Sequence, residues 1–308
     1  MSLLFTSVSS LISRREYPVV STDCTIQEAF FQIGAKDADC LIVADNLHLT
    51  SKISLISIDD FAHLFSLTNS ENQIVSDQKL ADVLGQSSST VIYGRQPAID
   101  ALRIFCTSFF DHINNKKKHI QFLPVLGENQ EFLGILSYLD LISLVMREDI
   151  NILDEPLCET LPIPRFVARV ETTSGQNSIY TAFPETEISQ IALFFHLNGS
   201  EYMPVVAREG YSVKGLISKR HVYRQFDRYI SLVNKTVFDA NIIIEEADVR
   251  FVLPHWVLRK ALPQYLKQPH QGVVTVVKTL KRKEFISLVS YRDIFSVVLE
   301  KLTTNLPQ

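Results

Sequence analysis

Apolar residues recur at i, i+3, i+4 and i+7 in three places: Ile26, Ala29, Phe30 and Ile33; Ala98, Ala101, Leu102 and Phe105; Ile188, Ile191, Ala192 and Phe195. That period predicts three amphipathic helices. A short β-rich stretch precedes each one, at residues 17–20, 90–93 and 178–182. Downstream lie four apolar runs, CLIVA (40–44), FLPVL (122–126), YMPVV (202–206) and VVTVV (273–277). A polar turn joins each to a second apolar run, a pattern that predicts β-hairpins. Pro124 and Pro204 occupy equivalent places, and proline's missing N–H predicts an edge or strand-start position for both. A second helix follows each hairpin, with Phe61, Leu64 and Phe65 as its apolar face in the first copy. Each unit therefore reads strand–helix–strand–strand–helix. The fourth is the least regular, because residues 251–265 are helical in character but broken by Pro254 and Pro263.

The second hairpin strand carries a repeated motif. EFLGILSYLDL (131–141) and EFISLVSYRDI (284–294) align without gaps and share Glu, Phe, Ser, Tyr and Asp. ISLISIDD (53–60) and KGLISKRH (214–221) follow the same outline. The common core is small–apolar–apolar–Ser–x–x–Asp, with Ser57, Ser137, Ser218 and Ser290 at nearly even spacing. Internal repetition at a fixed period means an array of similar structural units.

Composition narrows the function. The chain has 308 residues, 46% hydrophobic and 21% charged, which is globular and long enough for more than one domain. A net charge of −4 excludes a general nucleic-acid binder, which needs excess Lys and Arg against phosphates. No GxGxxG or GxxxxGK[ST] occurs, so neither a dinucleotide fold nor a P-loop is expected. Cys24, Cys40, Cys106 and Cys158 are far apart with no CxxC pair, which argues against zinc and disulfides and for reduced thiols in a cytoplasm. Residues 1–12 have no basic segment before their apolar stretch and read as a short helix, not a signal peptide. No uncharged apolar run is long enough to span a membrane. No nucleophile–base pair or catalytic carboxylate pair stands out, so no enzyme activity, required cofactor or metal is expected.

The β-α-β-β-α unit ending in G-h-h-S/T-x-x-D resembles the CBS (cystathionine-β-synthase) domain, and Thr25-Ile-Gln-Glu-Ala29 also matches that family's helix start. The resemblance covers nearly the whole chain. It implies an α/β (α+β) fold of four CBS repeats, at 10–70, 80–147, 165–230 and 236–302, with a linker at 148–164. The repeats would pair into two Bateman modules, as in the gamma subunit of AMP-activated protein kinase. It further implies a regulatory protein that binds an adenosine-containing ligand such as AMP, ADP or ATP in clefts between repeats and passes the change to a separate protein partner. A homodimer of equivalent modules is the alternative assembly. An interaction scaffold with degenerate clefts is the alternative function.

Carried over by position, the family's ribose-binding carboxylates are Asp60, Asp140 and Asp293, while His221 stands in that place in the third repeat. Ser57, Ser137, Ser290 and Thr25 are read either as phosphate contacts or as helix caps, since Ser-x-x-Asp at a strand-to-helix junction is itself a capping signal. Basic residues often precede the Pro-Val strand in nucleotide-binding relatives. This chain has Asp39, Gln121, Phe122, Glu201 and Tyr202 there. Lys219, Arg220, Arg292 and His270 remain as candidate phosphate contacts. Lys116 to His119 reads as a solvated loop, and Trp256 as core packing.

Overall fold

The computed structural model describes residues 3, 5–12, 15–36, 38–44, 53–57, 61, 78–84, 90–111, 116–161, 167–169, 179–198, 201–224, 235–267 and 272–304. It divides into two compact units, Met1–Leu144 and Val145–Gln308.

In the first repeat, strand Val19–Ser21 lies parallel to Cys40–Ala44, which pairs antiparallel with Ile53–Ser57. Helix Ile26–Ala35 supplies the crossover that parallel neighbours require. The second repeat repeats this order with strands Ile92–Tyr93, Phe122–Leu126 and Phe132–Ser137 around helix Ala98–Cys106. In the third, strand Ile179–Thr181 pairs with Val167–Arg169 and reaches the hairpin Tyr202–Val206/Val213–Ser218 through an Ala182–Val205 bridge. The fourth has strands Phe251–Val252, Val273–Val277 and Phe285–Ser290, with helices Leu258–Ala261 and Pro263–Lys267. The three helical stripes read from the sequence are buried except for the half-buried Phe30, with Ala98, Ala101, Leu102 and Phe105 wholly so. Second helices follow at Tyr138–Val145, Lys219–Arg224 and Tyr291–Thr304. In the first repeat Phe61 is helical and buried, while Leu64 and Phe65 lie outside the described residues.

Four local expectations are corrected. Pro124 is the third residue of a strand that is central in its sheet, and it pairs with Ile135. The reason lies in register. At the equivalent place Ile42 donates its N–H to Pro18 and Thr275 donates to Arg250. With proline there, parallel pairing starts one residue later, at Val125 and Val205. Residues 116–119 form a strand paired with Ser108–Asp111, not a loop. The fourth repeat opens with a strand at Phe251–Val252, so Pro254 sits in the turn before the helix and Pro263 opens the second helical piece. Of the described residues within 1–12, only Val8–Ser10 is helical, as one 3₁₀ turn.

The start of each repeat's first helix is clasped by the segment that leads into the other repeat of its unit. Thr25 pairs with Lys79 and Pro97 with Ser7; Glu187 pairs with Thr236 and Val257 with Pro156. Both residues following each bridge are apolar and buried: Ile26 with Leu80, Ala98 with Val8, Ile188 with Val237, Leu258 with Leu157. The two helix starts thereby satisfy each other's backbone groups, as in Leu80 N–H to Cys24 and Ile26 N–H to Gln78. Residues 150–161, in the stretch read as linker, are the clasp of the fourth repeat. They carry short helices Asn151–Asp154 and Leu157–Thr160, and Arg259 grips Asp154 through Nε at 2.8 Å and Nη2 at 3.2 Å.

The exchange also explains the motif glycine. A Cβ on Gly134 would overlap Ile12, and one on Gly215 would overlap Ile243, both on the exchanged segments. Gly134 further has φ of 151°, a conformation that side chains resist. Within each unit the two sheets meet face to face. Cys40, Ile42 and Ile53 pack with Ile135 in the first unit, and Val206 and Val213 with Val277 and Phe285 in the second.

Candidate ligand-binding site

The four motif serines end the second hairpin strand, where the chain turns into a helix. Ser137 donates to Asp140 Oδ2 twice, from its backbone N–H at 2.8 Å and from Oγ at 2.6 Å. Ser290 does the same to Asp293 Oδ2, at 2.7 Å from each atom. In the third repeat His221 takes the acid's place: its Nδ1 lies 2.5 Å from Ser218 Oγ, which also accepts from the His221 N–H at 3.0 Å. Each pair closes a box over the first helical turn. Asp60 lies outside the described residues, so Ser57 is placed only as the last residue of its strand, opposite Cys40.

The two aspartates differ in surroundings. Asp140 is half-buried and follows a fully buried Ser137; Asp293 is exposed. Burial pushes the Asp140 carboxyl above the usual carboxylate range, against the opposing pull of the Ser137 hydrogen bonds and the Arg15 charge. Arg15 and Tyr17, on the segment entering the first repeat, were not singled out as site residues from the sequence. Tyr17 packs against the cluster of Cys40, Ile42, Ile53 and Ile135, and burial pushes its hydroxyl well above the normal range, with Cys40 and Asp140 adding to the rise and the Arg15 side chain pulling the other way. Nothing in the local sequence marks these two residues. They reach Asp140 only because the lead-in of one repeat is laid across the other.

In the second unit the corresponding region carries contacts between side chains of both repeats. Arg292 Nη2 lies 3.7 Å from Glu201 Oε1, with both side chains largely buried, and the Tyr202 hydroxyl accepts from the Gly272 N–H at 2.8 Å. Tyr291 stands against Gly272. Lys219 begins a helix and donates its N–H to Glu201, and Arg220 follows half-buried. His270 lies outside the described residues. Thr25 forms a full capping box with Glu28. Trp256 is half-buried rather than core, with Lys260 Nζ 4.1 Å from its ring centroid. Among the described residues no group of His, Cys, Asp and Glu could hold a metal, and no helix is long and apolar enough to cross a membrane.

The repeats, their pairing and their motif boxes define a four-CBS-repeat architecture like that of the AMP-activated kinase gamma subunit. A protein of Methanocaldococcus jannaschii, described as a candidate archaeal homolog of g-AMPK, shares the fold with a TM-score of 0.71 at 14% identity, over 95% of this chain and 100% of that one. An uncharacterized conserved protein of Pyrococcus horikoshii matches with a TM-score of 0.54 at 14% identity, over 96% and 100% of the two chains. A shorter CBS domain pair, solved with 5′-methylthioadenosine and S-adenosylmethionine, covers 46% of this chain and 98% of its own at 15% identity and a TM-score of 0.35. No family model and no curated protein matches the sequence.

Proposed function

We propose that this chain is a regulatory protein that binds an adenosine-containing ligand in its first unit and passes the resulting change to a separate protein partner. The observation that carries this reading is the Asp140 carboxylate. It sits half-buried at a helix start, anchored through one oxygen by Ser137 and in the field of Arg15. A carboxylate held in that way accepts well from paired ribose hydroxyls, and the helix start beside it favours an anionic group. A bound ligand would bridge the two repeats and bias their arrangement by its differential affinity for the two states. Asp60 belongs to the same unit and is proposed as the second ribose carboxylate.

A specific observation favours the scaffold reading for the second unit. Glu201 already occupies Arg292, Tyr202 bridges to Gly272, and His221 replaces the ribose carboxylate. Asp293, Ser290, Lys219 and Arg220 are thus proposed as a weaker site or a structural one. Thermal melting with AMP, ADP, ATP, S-adenosylmethionine and cyclic di-AMP tests both readings. A ligand at a hundred times its dissociation constant stabilises the fold by about 2.7 kcal/mol. The shift is expected to survive Asp293→Asn and to fall to about 0.9 kcal/mol in Asp140→Asn; no shift with any ligand would move the whole chain to the scaffold reading.

A further inference from the structure

The second repeat carries an added segment. Between its first helix and the first strand of its motif hairpin it uses residues 107–121, where residues 36–39, 199–201 and 268–272 suffice in the first, third and fourth repeats. The extra length folds as a β-hairpin of its own, Ser108–Asp111 paired antiparallel with Lys116–His119. Among the described residues no further strand joins this sheet, so each of its two strands has an open edge. Such an edge presents backbone N–H and C=O groups that template another strand, and two strands alone are only marginally stable in water. An insertion confined to one unit of a repeat array is also a usual place for a binding surface. We infer that the hairpin docks an acidic, extended segment of a separate protein, which adds as a third strand along the Lys116–His119 edge. From the proposed function the inference takes only that a protein partner exists, and it holds whether or not a nucleoside binds.

Charge selects the occupant. The ladder sets Lys116 opposite Asp111, but Lys117 opposite Phe110 and Lys118 opposite Phe109. Two consecutive lysine positions thus have no acid across the ladder, in a chain whose net charge is −4. A strand entering on the far side of Lys116–His119 sets its own residues directly opposite these lysines, where opposite charges stabilise the pair and like charges destabilise it. A second copy of this chain adding the same strand would oppose lysine to lysine, so self-pairing is disfavoured and an acidic partner favoured. Successive strand residues alternate between faces, which puts Phe109 and Lys118 on one face and Phe110 and Lys117 on the other. An acidic strand therefore meets a lysine position whichever face its acids lie on. A nucleic acid would use the lysines but not the open backbone edge, and strand addition uses both.

Fluorescence anisotropy on the full chain, with a short labelled peptide alternating Glu and Val, tests this. The control is the same peptide with its backbone N-methylated, which keeps the charge but cannot donate to a strand edge. The parent chain should bind the first peptide and not the second. Lys117→Glu combined with Lys118→Glu should weaken binding about tenfold, through loss of two opposite-charge pairs. Removing residues 108–119 leaves 107, 120 and 121, a connection as long as that of the third repeat. It should abolish peptide binding while the melting temperature and any AMP-induced shift keep the parent's values. Should either variant fail to fold, hydrogen exchange on the parent chain still decides, because the peptide should slow the outward amides of residues 116–119. No binding to the parent, equal binding of the methylated peptide, equal binding to the shortened chain or tighter binding of a single-stranded oligonucleotide of equal charge would overturn the inference. Loss of an AMP-induced melting shift in the doubly substituted chain would assign the lysines to the ligand and overturn it too. Absence of any AMP shift in the parent, with the peptide bound, would overturn the nucleoside reading and leave this inference standing.

Discussion

The Ser137–Asp140 and Ser290–Asp293 motifs are the two best-matched segments of the chain, and their local geometry is nearly superimposable. In each, one carboxylate oxygen receives two bonds from the serine. Yet Asp140 is half-buried beside Arg15 and Tyr17, while Asp293 is exposed next to an arginine already engaged by Glu201. The box is a property of the strand–helix junction and forms even with His221 in the acid's place. What the box can bind depends on the segment that the other repeat lays against it. A motif match alone therefore identifies a cap, and its surroundings decide whether the cap is also a site.

The strongest way to break the comparison is to dislodge the exchanged segment. Gly134→Ala forces a Cβ onto Ile12 at a φ of 151°, combining strain and overlap, and should cost about 3 kcal/mol in urea unfolding. Gly210→Ala has a φ of 69° but open space around it, and should cost only about 1 kcal/mol. Equal costs would mean that the lead-in does not bear on Gly134.

Next in size is the asymmetry between the carboxylates. Asp140→Asn keeps an acceptor for Ser137 but removes the charge, and should weaken ligand binding about thirtyfold, or about 2 kcal/mol. Asp293→Asn should change binding far less. Equal losses in the two variants would show that both units bind.

Acidity sharpens the same contrast. The folded-state pKa of Asp140 is raised, so the folded chain holds this proton more tightly than the unfolded one. Its charged form therefore detracts from stability as pH rises through the shifted value, and the linked stability is gained as pH falls through that window. Ligand affinity moves the other way, because the protonated carboxyl loses its charge-assisted bonds to the ribose. Titrations at descending pH should show affinity falling before ordinary carboxylates protonate, and Asp140→Asn should abolish that dependence.

The smallest effect concerns capping alone. Thr25→Ala removes the side-chain acceptor for the Glu28 N–H and should cost about 1 kcal/mol without altering ligand affinity. A change in affinity would assign Thr25 to the site as well.

Much of the fold was legible because its signals are local. Helical stripes such as Ala98, Ala101, Leu102 and Phe105 had to be buried, and the apolar runs at 40–44 and 273–277 had to be central strands. Pro124 misled, because it is tolerated in a central strand through a shorter parallel neighbour, a matter of register between distant segments. The residues 151–161, read as part of a linker between repeats, also form two short helical turns that partners around residues 254–259 stabilise.

The sequence by itself determined the repeat, its period, its strand and helix order and the Ser–x–x–Asp junctions, since each follows from spacing within a few dozen residues. Only the tertiary structure decided that the lead-ins exchange between repeats, that Gly134 must stay bare beneath Ile12, and that Arg15 and Tyr17 stand at Asp140 rather than elsewhere. Those facts join residues far apart in the chain. They are fixed by which apolar faces bury together, which spacing along one segment does not encode.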